Sequence, residues 1–175
     1  MDKKELIKHI HIKQGDITKE KTDAIVNAAN PTLLGGGGVD GAIHRAAGPG
    51  LLEECRKLGG AKHGEARITG GYNLAAKHVI HTPGPIYRNG QSGEKEVLTN
   101  SYNNSMRLAK ENNLKSISFP AISAGIYGYP KDEACSVAVD TVIEFMEQED
   151  YAINVYFVLF DRDNYERYER YIKKL

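Results

Sequence analysis

The chain predicts an α/β fold of three layers, α/β/α, with a central mixed, largely parallel sheet of about six strands. Two observations carry this. Short apolar runs alternate with longer segments of helical period, the order in which strand, helix and strand build a parallel sheet. Several of those runs are apolar at nearly every position, as strands covered on both faces are. Taken in order, IHIKQG (10–15), AIVNAA (24–29), RITGGY (67–72), HVIHT (78–82), SISFPA (116–121) and NVYFVLF (154–160) read as strands. After the second of these, Val39, Ala42, Ile43, Ala46 and Ala47 keep the spacing of one helix face. Leu98, Tyr102, Met106 and Ala109 mark a helix before SISFPA, and Ala134, Val137, Ala138, Thr141, Val142 and Phe145 a stronger one after it. Tyr165, Tyr168 and Ile172 put an aromatic stripe on a last helix, which reads as core. RNGQSGEK (88–95) reads as an exposed loop. No repeat or linker divides the chain, so residues 1–175 are expected to form a single domain.

Composition narrows the function. The chain is 41% hydrophobic and 26% charged, which argues against disorder. Lys+Arg and Asp+Glu both total 23, so the long-range field of a nucleic-acid binder is missing and any anion must be held locally. Cys55 and Cys135 fall inside helical patterns and read as core thiols of a reduced compartment. MDKKELIKHIHIK at the start lacks the apolar stretch of a signal peptide, and VYFVLF (155–160) is too short to span a bilayer. The expected location is the cytoplasm, with no membrane partner.

The strand AIVNAA ends at Asn-Pro and runs through four consecutive glycines into a helix beginning near Val39. The strand SISFPA runs into ISAGIYGYP and a helix from about Lys131, with Pro130, Asp132 and Glu133 as start signals. Both loops therefore fall at the carboxyl ends of strands, where open α/β sheets bind ligands. Their backbone N–H groups and the helix starts beyond them can cradle phosphate without a lysine. A flexible linker is the plain alternative for a glycine run. The segment GGGVDG formally fits G-x-G-x-x-G, but it begins several residues past the strand and no acid follows at the required distance. A Walker loop is excluded for want of GK[ST].

GDIT (15–18), VNAANP (26–31), GGGGVDGAIHRAAG (35–48), HVIHTPGP (78–85) and FPAISAGIYGYP (119–130) together resemble a macrodomain. Within that family the chain resembles the MacroD-type branch, whose bacterial members act as O-acetyl-ADP-ribose deacetylases and ADP-ribosyl hydrolases. The resemblance runs from about Ile10 to the last helix. It implies an ADP-ribose cleft in which Asp16 accepts from the adenine amino group and Ile17 lends backbone contacts. Read without the resemblance, Asp16 is a turn or capping acid. Phe160 would stack on adenine, or else it is a strand-end core aromatic. The run Gly35, Gly36, Gly37, Gly38 and Val39 would close over the distal ribose. Ser123, Ala124, Gly125, Ile126 and Tyr127 would hold the diphosphate, chiefly by backbone, with the Tyr127 ring covering the ribose. The branch has STG where this chain has SAG at 123–125, which touches one side-chain hydrogen bond.

Asn30 and Asp40 are the candidate catalytic pair. Asn before Pro is also a turn signal, and an acid in a first helical turn is stabilising in its own right. If the glycine loop folds over a sugar, the two flank it and reach one water, which Asp40 would orient or deprotonate while Asn30 holds it with the ribose. The reaction implied is hydrolysis of an ester on the distal ribose, of O-acetyl-ADP-ribose or of a mono-ADP-ribosylated protein. A substrate phosphate could polarise that water instead. A side chain at Gly37 is expected to bar the close approach of backbone to ligand and to resist a positive φ. His44 reads as a packing residue. No cofactor or metal is expected: His9 and His11 share a strand face without a third ligand, and His78 and His81 fall on opposite faces. The expected state is a monomer, and the alternative function is a reader that binds ADP-ribose without cleaving it.

Overall fold

The strands end where their backbone can no longer pair. In the computed structural model, which describes residues 1–175, they are β1 (Ile10–Gln14), β2 (Ala24–Ala28), β3 (Arg67–Gly70), β4 (His78–Thr82), β5 (Ser116–Phe119) and β6 (Asn154–Leu159). β5 stops short of Pro120, which has no N–H to give a neighbour. All lie in one sheet of order β1-β6-β5-β2-β4-β3, parallel throughout except for β3, which runs antiparallel to β4 at one edge. The sheet is thus mixed and largely parallel, and the central strands are buried on both faces as their unbroken apolar runs required.

Helices cover both faces. α1 (Lys3–Ile7), which the periodicity did not show, starts at Asp2, whose side chain caps Glu5 N–H. α2 (Gly38–Ala47) and α3 (Pro49–Leu58) lie on one face and close the smaller part of the core around Ile25, Leu33, Ile43 and Leu51. The helix expected near Val39 is α2, whereas α3 was not among the helices expected. Gly48, at φ 84°, turns the chain between them, and Pro49 opens α3. The buried side of α2 is Asp40, Gly41, Ile43 and Ala47, while Ala46 is exposed, so the helix is rotated from its predicted face. α4 (Glu94–Glu111), α5 (Lys131–Gln148) and α6 (Arg162–Lys173) join α1 on the other face. α5 is buried on more than one side because α1, α4 and α6 pack around it. Tyr168 of α6 is core, its ring tilted against that of Phe157 at 5.3 Å.

The loop expected over 88–95 ends at Gly93. Glu94 opens α4 and is buried, its carboxylate accepting from the N–H groups of Arg88, Asn89, Gly90 and Ser92. Those bonds hold its carboxyl down at about 2. No helix is long and apolar enough to cross a membrane.

Candidate active site

Because β2 and β5 are neighbours, the loops that leave their carboxyl ends stand side by side. Between them and the end of β6 lies a cleft of about 870 Å³, within the size range of small-molecule sites. Every residue expected from the sequence to catalyse or to bind substrate borders it except Gly35. Gly35, at φ 93°, sits behind the loop against the His44 ring, and its carbonyl accepts from Asn30 Nδ2 at 2.9 Å.

Asn30 does what an Asn before Pro predicts: Oδ1 accepts from Thr32 N–H at 3.0 Å and from the Thr32 hydroxyl. Its amide keeps one hydrogen unused within the loop. Asp40 is buried, 5% exposed, and burial pushes its carboxyl above the usual value while the Asn27 amide and His44 pull it back. Asn30 Nδ2 and Asp40 Oδ2 each lie 3.3 Å from where a side chain at Gly36 would begin. The two candidates are therefore brought together against one methyl-sized space. Only a glycine fits at Gly41 also, since a methyl there would collide with the Gly36 carbonyl and lift the loop off α2.

Gly37 corrects the sequence reading. Its φ of −94° and ψ of −177° are extended values open to any residue, and nothing lies within 4 Å of the space a side chain would take. The positive φ values of this glycine run are at Gly35 and Gly38. What the loop supplies is donors: the N–H groups of Gly36, Gly37, Gly38 and Val39 have no partner in the protein. The same is true of Ser123, Gly125, Ile126 and Tyr127 in the second loop. Ser123 is held at φ 63° by its hydroxyl, which donates to Pro85 O at 2.7 Å. Ala124 is buried beneath that turn, and Tyr127 is half-buried with its ring near His63.

At the far end Phe160 lies just past β6 and is 81% exposed, which rules out its reading as a core aromatic. Asp16 caps the turn Ile17–Lys19, with Oδ1 accepting from the Thr18 hydroxyl at 2.7 Å and N–H at 2.9 Å. Those bonds, the hydroxyl's first, hold its carboxyl below the usual value. Oδ2 is left without a partner, so the capping role does not use up the group. Ile17 is buried under the same turn.

The sequence reading missed several neighbours of the cleft. Arg45 and Lys131 border it, so the loops are not without cations; Lys131 faces Asp163 at 3.5 Å, whereas Arg45 has no acid partner. Arg45 was legible as the residue one helical turn past Gly41. His44, expected to pack, is half-buried with Nε2 3.5 Å from Asp40 Oδ1 and makes no hydrogen bond there. His9 lies outside β1, which begins at Ile10, and does not share a strand face with His11. His44, Cys55 and His81 instead come from three elements to set ligand-type atoms within 4.8 Å of one another. Hydrogen bonds already assign His81, which meets Thr69 Oγ1 at 3.0 Å and Asn27 Nδ2 at 3.2 Å. Burial pushes the Cys55 thiol up to about 11, so it keeps its proton. This donor set reads as a hydrogen-bonded cluster in place of a cation site.

Comparison with known proteins follows the same outline. The family model described as Macro domain matches residues 26–138. A relative from Escherichia coli (strain K12), named O-acetyl-ADP-ribose deacetylase, is 52% identical over 92% of this chain and 93% of its own. A macrodomain from Trypanosoma brucei, solved in complex with ADP-ribose, superposes with a TM-score of 0.90 at 42% identity, covering 98% of this chain and 72% of that one. The Oceanobacillus iheyensis macrodomain, solved as mutant G37V with ADPR, gives a TM-score of 0.89 at 46% identity over 93% and 91% of the two chains.

Proposed function

The chain belongs to the Macro domain family, and from that premise we propose that it is a hydrolase that binds ADP-ribose and cleaves esters on the distal ribose. Its substrate is O-acetyl-ADP-ribose, as the name of the Escherichia coli relative supports. Removal of mono-ADP-ribose from Asp or Glu side chains of proteins is the same chemistry on a larger leaving group. The observation that carries the reading is the convergence of Asn30 Nδ2 and Asp40 Oδ2 on Gly36 inside a cleft rimmed by unpaired N–H groups.

Phe160 stacks on adenine and the free Oδ2 of Asp16 accepts from its amino group. The N–H groups of Ser123, Gly125, Ile126 and Tyr127 take the diphosphate, an arrangement suited to anions. Gly36 to Val39 close over the distal ribose. Asp40 Oδ1 is engaged by Asn27 at 2.8 Å, which leaves Oδ2 to take the proton of a water held by Asn30. The raised carboxyl makes Asp40 a better base than an ordinary aspartate, since a general base works best with a pKa near the working pH. The water adds to the ester carbonyl, the tetrahedral oxyanion collapses, the ribose oxygen leaves with the proton returned by Asp40, and the carboxylic acid released ionises in solvent to acetate or a side-chain carboxylate. The chain works as a monomer in the cytoplasm, without metal.

Wild type and Asp40→Ala are to be compared with O-acetyl-ADP-ribose and with a glutamate-linked ADP-ribosylated protein. Asp40→Ala should lower turnover by about 10²–10⁴-fold, the range for losing a general base, with ADP-ribose affinity by calorimetry little changed. A variant with near-normal turnover hands the base to the substrate phosphate. A wild type that binds ADP-ribose and releases nothing is a reader.

A further inference from the structure

We infer that Asn27 and His81 form a buried hydrogen-bond chain that positions Asp40, so that His81 governs turnover from behind the cleft through the Asn27 amide. The inference rests on the reading of Asp40 as the group that acts on water. Asn27 of β2 and His81 of β4 are register partners on adjacent parallel strands and are wholly buried. Their side chains thus leave the same face of the sheet, the one α2 covers. The Asn27 Nδ2 group is 2.8 Å from Asp40 Oδ1 and 3.2 Å from His81 Nδ1, so its two hydrogens are both used. An amide nitrogen only donates, which makes His81 Nδ1 an acceptor and puts the imidazole proton on Nε2. That proton points to Thr69 Oγ1 at 3.0 Å, and the Thr69 hydroxyl donates onward to Gly70 O at 3.0 Å. Each donor from Thr69 to Asn27 has an assigned acceptor.

The orientation of the Asn27 amide is set by the two groups its nitrogen faces, while Oδ1 meets no protein partner. Turning the amide over would set its oxygen against the Asp40 carboxylate and lose both donated bonds. Burial drives His81 down to about 3, so the ring stays neutral and Nδ1 stays an acceptor at any working pH. The amide is thereby held so that Asp40 Oδ1 is gripped and Oδ2 is left toward Gly36 and Asn30. Asn27 and His81 are positioning residues; neither borders the cleft.

The test uses hydrolysis of O-acetyl-ADP-ribose by His81→Leu, His81→Asn, His81→Gln and Asp40→Ala, with ADP-ribose affinity and melting temperature measured for each. His81→Leu should lower kcat by about 10–100-fold, the scale of a misplacement near 1 Å, with KM and ADP-ribose affinity within about twofold. His81→Asn sets an oxygen near the place of Nδ1 and should recover most of the loss. His81→Gln reaches only the place of Nε2, leaves Asn27 without its acceptor, and should not. A purely structural role would lower both polar variants alike and carry affinity down with kcat. Should His81→Leu fail to fold, the Asn and Gln pair decides. Unchanged kcat in folded His81→Leu, or equal turnover in the Asn and Gln variants, overturns the chain while an inactive Asp40→Ala leaves the Asp40 reading standing. Near-normal turnover in Asp40→Ala sinks that reading and this one with it.

Discussion

Gly36 carries more than its place in a glycine run shows. Its φ is not in the positive range, so a larger residue strains no backbone there, yet a Cβ would press on Asn30 Nδ2 and Asp40 Oδ2 at 3.3 Å. Gly36→Val should therefore fold normally and lose turnover by about 10²-fold as the pair is pried apart; activity equal to wild type would show that the pair does not share a water. Gly37→Val, at an open and extended position, should fold normally too. Asp40 gives a second expectation at this scale. Its carboxyl is raised above 3.8 by burial, and in the proposed role of base it must be ionised. The acid limb of kcat/KM should fall with a midpoint above 3.8 and be missing from Asp40→Ala; a limb at the ordinary aspartate value would count against Asp40. The stability sign runs opposite to that of activity. An acid with a raised folded pKa contributes stability that is complete below the unfolded pKa and declines as pH rises through the folded one. Asp40→Asn should accordingly melt no lower than wild type at pH 7 while losing turnover.

The loop at 88–93 is tied to α4 by one carboxylate. Glu94 takes four backbone N–H groups and its pKa falls from 4.5 to about 2, so the support it lends is full above 4.5 and is lost as pH falls toward 2. Exchange protection of the amides of Arg88, Asn89, Gly90 and Ser92, relative to the unfolded chain at the same pH, should fall across that window, and Glu94→Gln should show the lower protection already at pH 7. Equal protection in both proteins would mean the loop is held elsewhere. Glu94 also shows where reading the sequence stopped. The strands and the larger helices were legible because their apolar periods are long and face one core. A surface-like RNGQSGEK gave no sign that its glutamate folds inward, because that burial is licensed by backbone donors which side-chain hydropathy does not register. Helix α3 was not drawn either, although Gly48, at a positive φ, and Pro49 mark its start. At the site, the motifs brought Asn30, Asp40, Asp16 and Phe160 to the rim of one cleft. The cluster of Asn27, His81, Thr69 and Cys55 could not be seen, since it exists only through the pairing of β2 with β4 and β4 with β3.

For the molecule as a whole, a ligand that binds only the folded chain must raise its melting temperature. ADP-ribose at about 100 times its Kd adds roughly 2.7 kcal/mol, which for a chain of this size is about 5–10 °C. AMP lacks the distal ribose, and under the proposed function NAD sets its nicotinamide against the glycine loop, so both should give smaller shifts at equal concentration. An equal shift with NAD would favour a dinucleotide site. The sheet also sets the order in which this molecule can come into being. β1 finds its only partner in β6, so the first strand made waits for roughly 140 more residues, about 7–30 s at ordinary rates of synthesis. Phe160 follows β6 and arrives with it. Until then the ribosome carries a nascent chain with one unpaired strand and a cleft still missing the wall that Val158, Leu159 and Phe160 supply.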